Sequence, residues 1–215
     1  MRVVVTRPRA QAGPLVERLE AAGHVVVECP LIEIAPLETG PVDASGYDWL
    51  VVTSPNAADL LAARMTGPLP RVAAIGPGTA EALGERGIRA DLVPRVSTQE
   101  GLLDELPRSA GRVLFAGARH ARRTLIDALG ADVVELYDTV LLTPERAPDG
   151  DLVVLASGSA ARSFAAVGSA IPVVSIGPQT TRAAEAAGLR VVAEAESHDL
   201  DGLVAAVDRA AALVR

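Results

Sequence analysis

The chain repeats itself, which limits it to folds built twice on one plan. A first block opens at Arg2-Val-Val-Val-Thr-Arg-Pro-Arg. It passes through a helical stretch with Leu15, Val16 and Leu19 on one face, reaches Gly23, and continues as an apolar strand from Val25 to Ile34. Its echo opens at Arg112-Val-Leu-Phe-Ala-Gly-Ala-Arg, carries Leu125, Ile126 and Leu129, and continues from Val133 to Leu142. A second block runs from Asp48-Trp-Leu-Val-Val-Thr-Ser-Pro-Asn-Ala through Val72-Ala-Ala-Ile-Gly-Pro-Gly-Thr-Ala and Gly87 to Thr98-Gln-Glu-Gly-Leu-Leu. Its echo runs from Asp151-Leu-Val-Val-Leu-Ala-Ser-Gly-Ser-Ala through Val173-Val-Ser-Ile-Gly-Pro-Gln-Thr-Thr and Gly188 to Asp199-Leu-Asp-Gly-Leu-Val.

The strands of both copies are short, continuous apolar runs, the pattern of parallel strands buried on both faces. Helical stretches of about 10–15 residues lie between them, the usual crossover length. Gly23, Gly87 and Gly188 stand where a helix should stop. The fold class that follows is α/β: two doubly wound, parallel-sheet domains of flavodoxin- or Rossmann-like plan. The pattern leaves two arrangements open. One is a tandem divided near residue 110. In the other, the strands around 30–37 and 136–143 pair as a connector, and the N-terminal strand and helix complete the C-terminal domain.

Composition restricts the chemistry. A hydrophobic share of 49% with 2% aromatics makes the expected cores aliphatic. All 20 basic residues are Arg, so a lysine Schiff base and a P-loop lysine are excluded. The single cysteine, Cys29, supports neither a disulfide framework nor a cysteine zinc site. His24, His120 and His198 lack ligand spacing, so no metal is expected. A net charge of −7 argues against nucleic acid as partner. The N-terminal apolar run is too short for a signal or a span, so no membrane is expected and the cytoplasm is the expected location.

Ligands of parallel α/β sheets bind beyond the carboxyl ends of the strands. The residues there form the candidate binding set. They are Arg7; Thr53, Ser54 and Asn56; Gly76 and Thr79; Arg119; Ser157 and Ser159; and Gly177, Gln179 and Thr180. Small hydroxyl residues before helices cap free N–H groups, and the same N–H groups attract anions. Arg grips carboxylates bidentately, and Arg7 directly follows a strand. Arg122, Arg123, Arg162 and Arg182 lie near other strand ends. Tyr137, one of two tyrosines, sits in the second strand of the repeat, where its phenol could donate a proton. A ligand rich in carboxylates suits such a set.

Val-Thr-Arg-Pro at 5–8, Pro-Leu-Ile-Glu-Ile at 30–34 and Val-Thr-Ser-Pro-Asn-Ala at 52–57 resemble the uroporphyrinogen-III synthase family. So do Ile-Gly-Pro-Gly-Thr-Ala at 75–80, Val-Glu-Leu-Tyr-Asp-Thr at 134–139 and Ile-Gly-Pro-Gln-Thr-Thr at 176–181. The resemblance favours the discontinuous arrangement: one domain of residues 1–34 plus 144–215, an inserted domain of 38–133, and a β-ladder connector of 30–37 with 134–143. It implies a cyclising lyase that closes hydroxymethylbilane to uroporphyrinogen III, with loss of water and inversion of ring D, in a cleft between the domains. It implies no cofactor, Tyr137 as the acid for hydroxyl loss, and Thr180 with Ser157 and Ser159 as binding groups. It allows a transient hand-over of substrate from the upstream deaminase. A monomer is expected, because the repeat already supplies two domains. Gln179 stands where many members have Thr, and Ala-Ser-Gly-Ser replaces the commoner Thr-Ser-Pro-Ser. The competing reading is an inactive two-domain sensor or regulatory domain.

Overall fold

The computed structural model describes residues 1–38 and 40–213. The chain divides into two compact units, residues 1–33 with 140–215 and residues 34–139. The first unit opens with β1 (Arg2–Val5), α1 (Arg9–Ala21) and β2 (Val25–Glu28). The chain leaves it through β3 (Ile32–Pro36). The second unit then adds β4 (Val42–Asp43), β5 (Trp49–Val52), α2 (Pro55–Ala62), β6 (Met65–Thr66), β7 (Arg71–Ala74) and α3 (Pro77–Glu85). It continues with α4 (Gln99–Glu105), β8 (Val113–Ala118), α5 (Thr124–Leu129) and β9 (Asp132–Leu141). Back in the first unit come β10 (Leu152–Leu155), α6 (Gly158–Ala166), β11 (Val173–Ser175), α7 (Pro178–Ala186), β12 (Val191–Glu194) and α8 (Leu200–Leu213).

The sheet of the first unit has the order β12-β11-β10-β1-β2, with every pairing parallel. Alternate residues of its strands serve two cores. Val3, Val5, Leu152, Val154 and Val174 pack with Leu15 and Leu19 of α1 and Leu203, Ala206 and Val207 of α8. Val4, Val153, Leu155 and Val173 pack with Ala160, Ala161 and Phe164 of α6 and Ala184 of α7. Apolar side chains on both faces explain why these strands read as unbroken apolar runs.

The second unit follows the same plan with the order β3-β9-β8-β5-β7, and β9-β8, β8-β5 and β5-β7 are parallel. Leu50, Val52, Val72, Ala74, Leu114 and Ala116 face Ala57, Ala58 and Leu61 of α2 and Leu83 of α3. Trp49, Val51, Ala73, Val113 and Phe115 face Leu102 of α4 and Leu125 and Ile126 of α5. A short parallel pair, β4 with β6, stands apart and carries no strong sequence signal.

The apolar run from Val25 to Ile34, expected as one strand, is two. β2 belongs to the first unit's sheet, and β3 neighbours β9 in the second unit's sheet. Pro30 lies between them and brings no N–H to a ladder, so the strand breaks there. The echo has no proline at that place and stays one strand of ten residues, β9. The backbone bonds Leu37 N–H to Leu136 O (2.9 Å) and Leu142 N–H to Leu31 O (2.9 Å) run in opposite numerical senses, so the segments pair antiparallel.

Gly23, Gly87 and Gly188 have φ of 84°, 77° and 80°, the left-handed residues that end α1, α3 and α7. No helix among the described residues is long and apolar enough to cross a membrane.

Candidate active site

In the second unit the candidate residues gather at the carboxyl ends of β5 and β7. β5 delivers Thr53 and then Ser54, whose extended backbone (φ −161°, ψ 153°) makes it the N-cap of α2. Its Oγ accepts the Ala57 N–H at 3.0 Å. The Tyr137 hydroxyl comes within 2.9 Å of the same Oγ. Tyr137 lies on β9, and β8 stands between β9 and β5. That strand ends in Ala116-Gly117-Ala118, which places no large side chain at its end.

Tyr137 is 6% exposed, and burial pushes its phenol above the ordinary tyrosine range. Hydrogen bonds with Ser54 and Asn56 work the other way and do not overcome it. The group is therefore a neutral phenol near neutrality, able to release one proton into a site that already orients it.

Gly76 caps α3 without a side chain, and Thr79 in its first turn is 3% exposed. A Cβ at Gly76 would lie 2.6 Å from Ser97 Oγ, so only glycine fits there. Arg119 is already engaged: Nε bonds Glu135 at 3.1 Å, and Nη1 lies 3.6 Å from Asp138. Arg122 and Arg123 are likewise held by Glu100 and Asp127.

In the first unit, Thr6 directly follows β1 and donates its hydroxyl to Val154 O at 2.7 Å. Arg7 follows, half-buried, and burial pulls its pKa below the usual arginine value. Its guanidinium has no hydrogen bond or ion pair among the described residues. A desolvated cation without a counter-charge is costly unless a ligand supplies one. Ser157 caps α6 and accepts the Ala160 N–H at 3.1 Å, while Ser159 Oγ accepts from Arg162 Nη2 at 3.0 Å. Gly177 caps α7, followed by Pro178, Gln179 and Thr180, the last only 4% exposed.

One neighbour of α7 escaped the sequence reading. A Cβ on Gly177 would meet the His198 ring at 2.8 Å, so the imidazole closes over the start of the helix. Its signal was positional: His198 holds in the second copy the place that Ser97 holds in the first. Two concavities of about 240 and 360 Å³, each within one unit, are lined by His24 with Asp208 and by Tyr47 with Glu135. Neither is lined by a candidate residue.

The family profile described as uroporphyrinogen-III synthase HemD matches residues 13–205. The chain belongs to the uroporphyrinogen-III synthase family. A uroporphyrinogen-III synthase of Synechococcus elongatus is 28% identical over 248 residues, covering 96% of this chain and 94% of that protein. The synthase of Chlorobaculum parvum is 28% identical over 222 residues, with 88% and 90% covered. A mutant uroporphyrinogen III synthase from the extremely thermophilic bacterium Thermus thermophilus shares the fold, with a TM-score of 0.63 at 15% identity and 99% of each chain covered. Membership makes the chain a cyclising lyase of porphyrin biosynthesis and does not favour the sensor reading. Within that family frame, the paired hydroxyls of Tyr137 and Ser54 and the unpartnered Arg7 are the two features of this chain most suited to chemistry.

Proposed function

We propose that the chain closes hydroxymethylbilane to uroporphyrinogen III with Tyr137 as the acid. The observation that carries this reading is the buried phenol, raised in pKa and held 2.9 Å from Ser54 Oγ. The substrate's terminal hydroxyl leaves as water, taking the Tyr137 proton, and the pyrrole electrons that expel it leave an azafulvene. The substituted carbon of ring D attacks this centre and gives a spiro intermediate. Fragmentation and reclosure invert ring D. The final loss of a ring proton returns one proton to the phenolate, so the enzyme ends as it began and the net loss is one water.

No nucleophile is needed. The protein's task is to hold a reactive chain so that ring D is attacked at the right carbon, which is positioning. Arg7, Ser157, Ser159, Gly177, Gln179 and Thr180 serve the acetate and propionate arms, as do Thr53, Ser54, Asn56, Gly76 and Thr79, through side chains and helix-end N–H groups. Arg119 joins them only by exchanging one of its two acidic partners. No cofactor, nucleic acid or membrane enters this reading. It places a monomer in the cytoplasm, supplied by the upstream deaminase. The test is to give the protein fresh hydroxymethylbilane, oxidise the products and separate the isomers. A rapid excess of isomer III supports the proposal. Isomer I alone, formed at the uncatalysed rate, overturns it.

A further inference from the structure

A second hydroxyl cluster lies in the first unit, beside the turn that starts α7. Ser175, the last residue of β11, is fully buried, and its Oγ lies 2.6 Å from Thr181 Oγ1. The Thr181 hydroxyl donates in turn to the Glu194 carboxylate at the end of β12. Thr181 has one proton, which goes to Glu194, so Ser175 donates to Thr181 and the chain of bonds runs one way.

A register shift makes this meeting happen. Val173 pairs with Val191, but Val174 pairs with Ala193, so Ser175 comes to lie beside Glu194. An unshifted ladder would have set Ser175 beside Ala193. The other copy of the repeat has nothing comparable, because Ala74 and Ala80 stand where Ser175 and Thr181 stand here. The alanines show that the fold itself does not require the bonds.

We infer that Thr181, anchored by Ser175 and Glu194, is a positioning residue that fixes the first turn of α7 and so holds Gln179 and Thr180 in register for a substrate carboxylate. The inference rests on the reading that this turn binds the substrate. Thr181 touches no reacting atom. It ties the turn to two strands at once, and an N-terminal turn otherwise frays readily, since its N–H groups lack helical partners. Losing the tie should weaken binding and leave the proton transfer at Tyr137 alone.

The test compares Thr181→Val, Thr181→Ser and Thr180→Val in the full chain. Initial rates with hydroxymethylbilane give KM and kcat, and hydrogen exchange follows the α7 amides. Thr181→Val should raise KM on the order of tenfold with kcat within about twofold, and should speed exchange at Gln179 and Thr180. Thr181→Ser, which keeps the hydroxyl, should restore both. If Thr180→Val raises KM while Thr181→Val does not, the turn binds substrate but Thr181 does not position it, and the inference falls alone. If neither variant moves KM, the reading of the turn falls with it. A Thr181→Val effect that Ser fails to rescue assigns the residue to packing and also overturns the inference.

Discussion

Replacing Arg7 by Leu should stabilise the protein and cripple substrate binding together. The guanidinium is half-buried, and its lowered pKa reports that the surroundings disfavour the charge. No acid or carbonyl among the described residues answers it. Removing a desolvated charge that lacks a partner returns its desolvation cost, on the order of 1 kcal/mol for a site that keeps some water. In a protein of this size that is about 2–4 °C in Tm. Binding moves the other way. Charge-assisted bonds to a substrate carboxylate are worth about 1.5–3 kcal/mol, so KM should rise roughly tenfold to a hundredfold. The value of kcat should move far less, since in the proposed mechanism hydroxyl loss falls to Tyr137. Initial rates over a range of hydroxymethylbilane, corrected for spontaneous closure to isomer I, give the kinetic half. Circular dichroism during heating gives the other, while fluorescence of Trp49 reports the second unit and should be unchanged. A variant that is less stable than the parent and binds substrate equally well would refute the reasoning, for Arg7 would then be a structural cation.

Tyr137→Phe should lower kcat by about 10²–10⁴-fold, and the lost hydroxyl bond to Ser54 should cost about 1 kcal/mol of stability. The same residue sets an alkaline effect. Its folded pKa is raised, so its share of stability is whole below the unfolded value of about 10 and drains away as pH rises beyond it. Unfolding by urea at rising alkaline pH should therefore show a shallower loss in the Phe variant than in the parent; equal slopes would contradict the assignment. Gly202→Ala should destabilise α8, because its Cβ would run into the Ser197 carbonyl oxygen, an overlap worth about 1–3 kcal/mol once the turn shifts. A Tm equal to the parent's would show that this turn is freer than its geometry indicates.

The scaffold was legible because its causes are local and occur twice. Val3, Val4 and Val5 are all fully buried, so no polar residue interrupts the run, and the run reads as a strand. Gly23, Gly87 and Gly188 need a positive φ that other residues resist, and they punctuate the helices. The break at Pro30 was readable in principle, since the proline was visible, but the echo at Val133–Leu142 is unbroken and drew the reading toward one strand. The site was less legible because its causes are not local. Ser54 and Tyr137 are 83 residues apart and meet only when β9, β8 and β5 align. Arg119 looked like a free cation until β9 set Glu135 and Asp138 beside it. Glu194 reaches Ser175 and Thr181 through a register shift that no periodicity announces.

These cases share a cause that bears on how the chain works. Where the two copies agree, as at the Ile-Gly-Pro turns and the glycines of the helix ends, the shared residues serve backbone geometry that both units need. Where they differ, several of the differences fall on candidate or anchoring residues. Tyr137 stands where the other copy has Cys29, whose thiol is pushed up by burial and offers no phenol. Ser175 and Thr181 stand where the other copy has Ala74 and Ala80. Arg7 stands where the echo has Gly117, which a Cβ would drive to 2.7 Å from the Phe115 ring. A symmetric pair of units would present the same groups twice, whereas the reaction needs one proton donor and unequal grips on an unsymmetrical substrate. The proposed acid, Tyr137, lies in one unit, and the unpartnered Arg7 and the anchored turn of α7 lie in the other. Replacing Ser175 and Thr181 with the alanines of the equivalent positions should therefore preserve folding far better than turnover, because the other copy folds with alanine at both places.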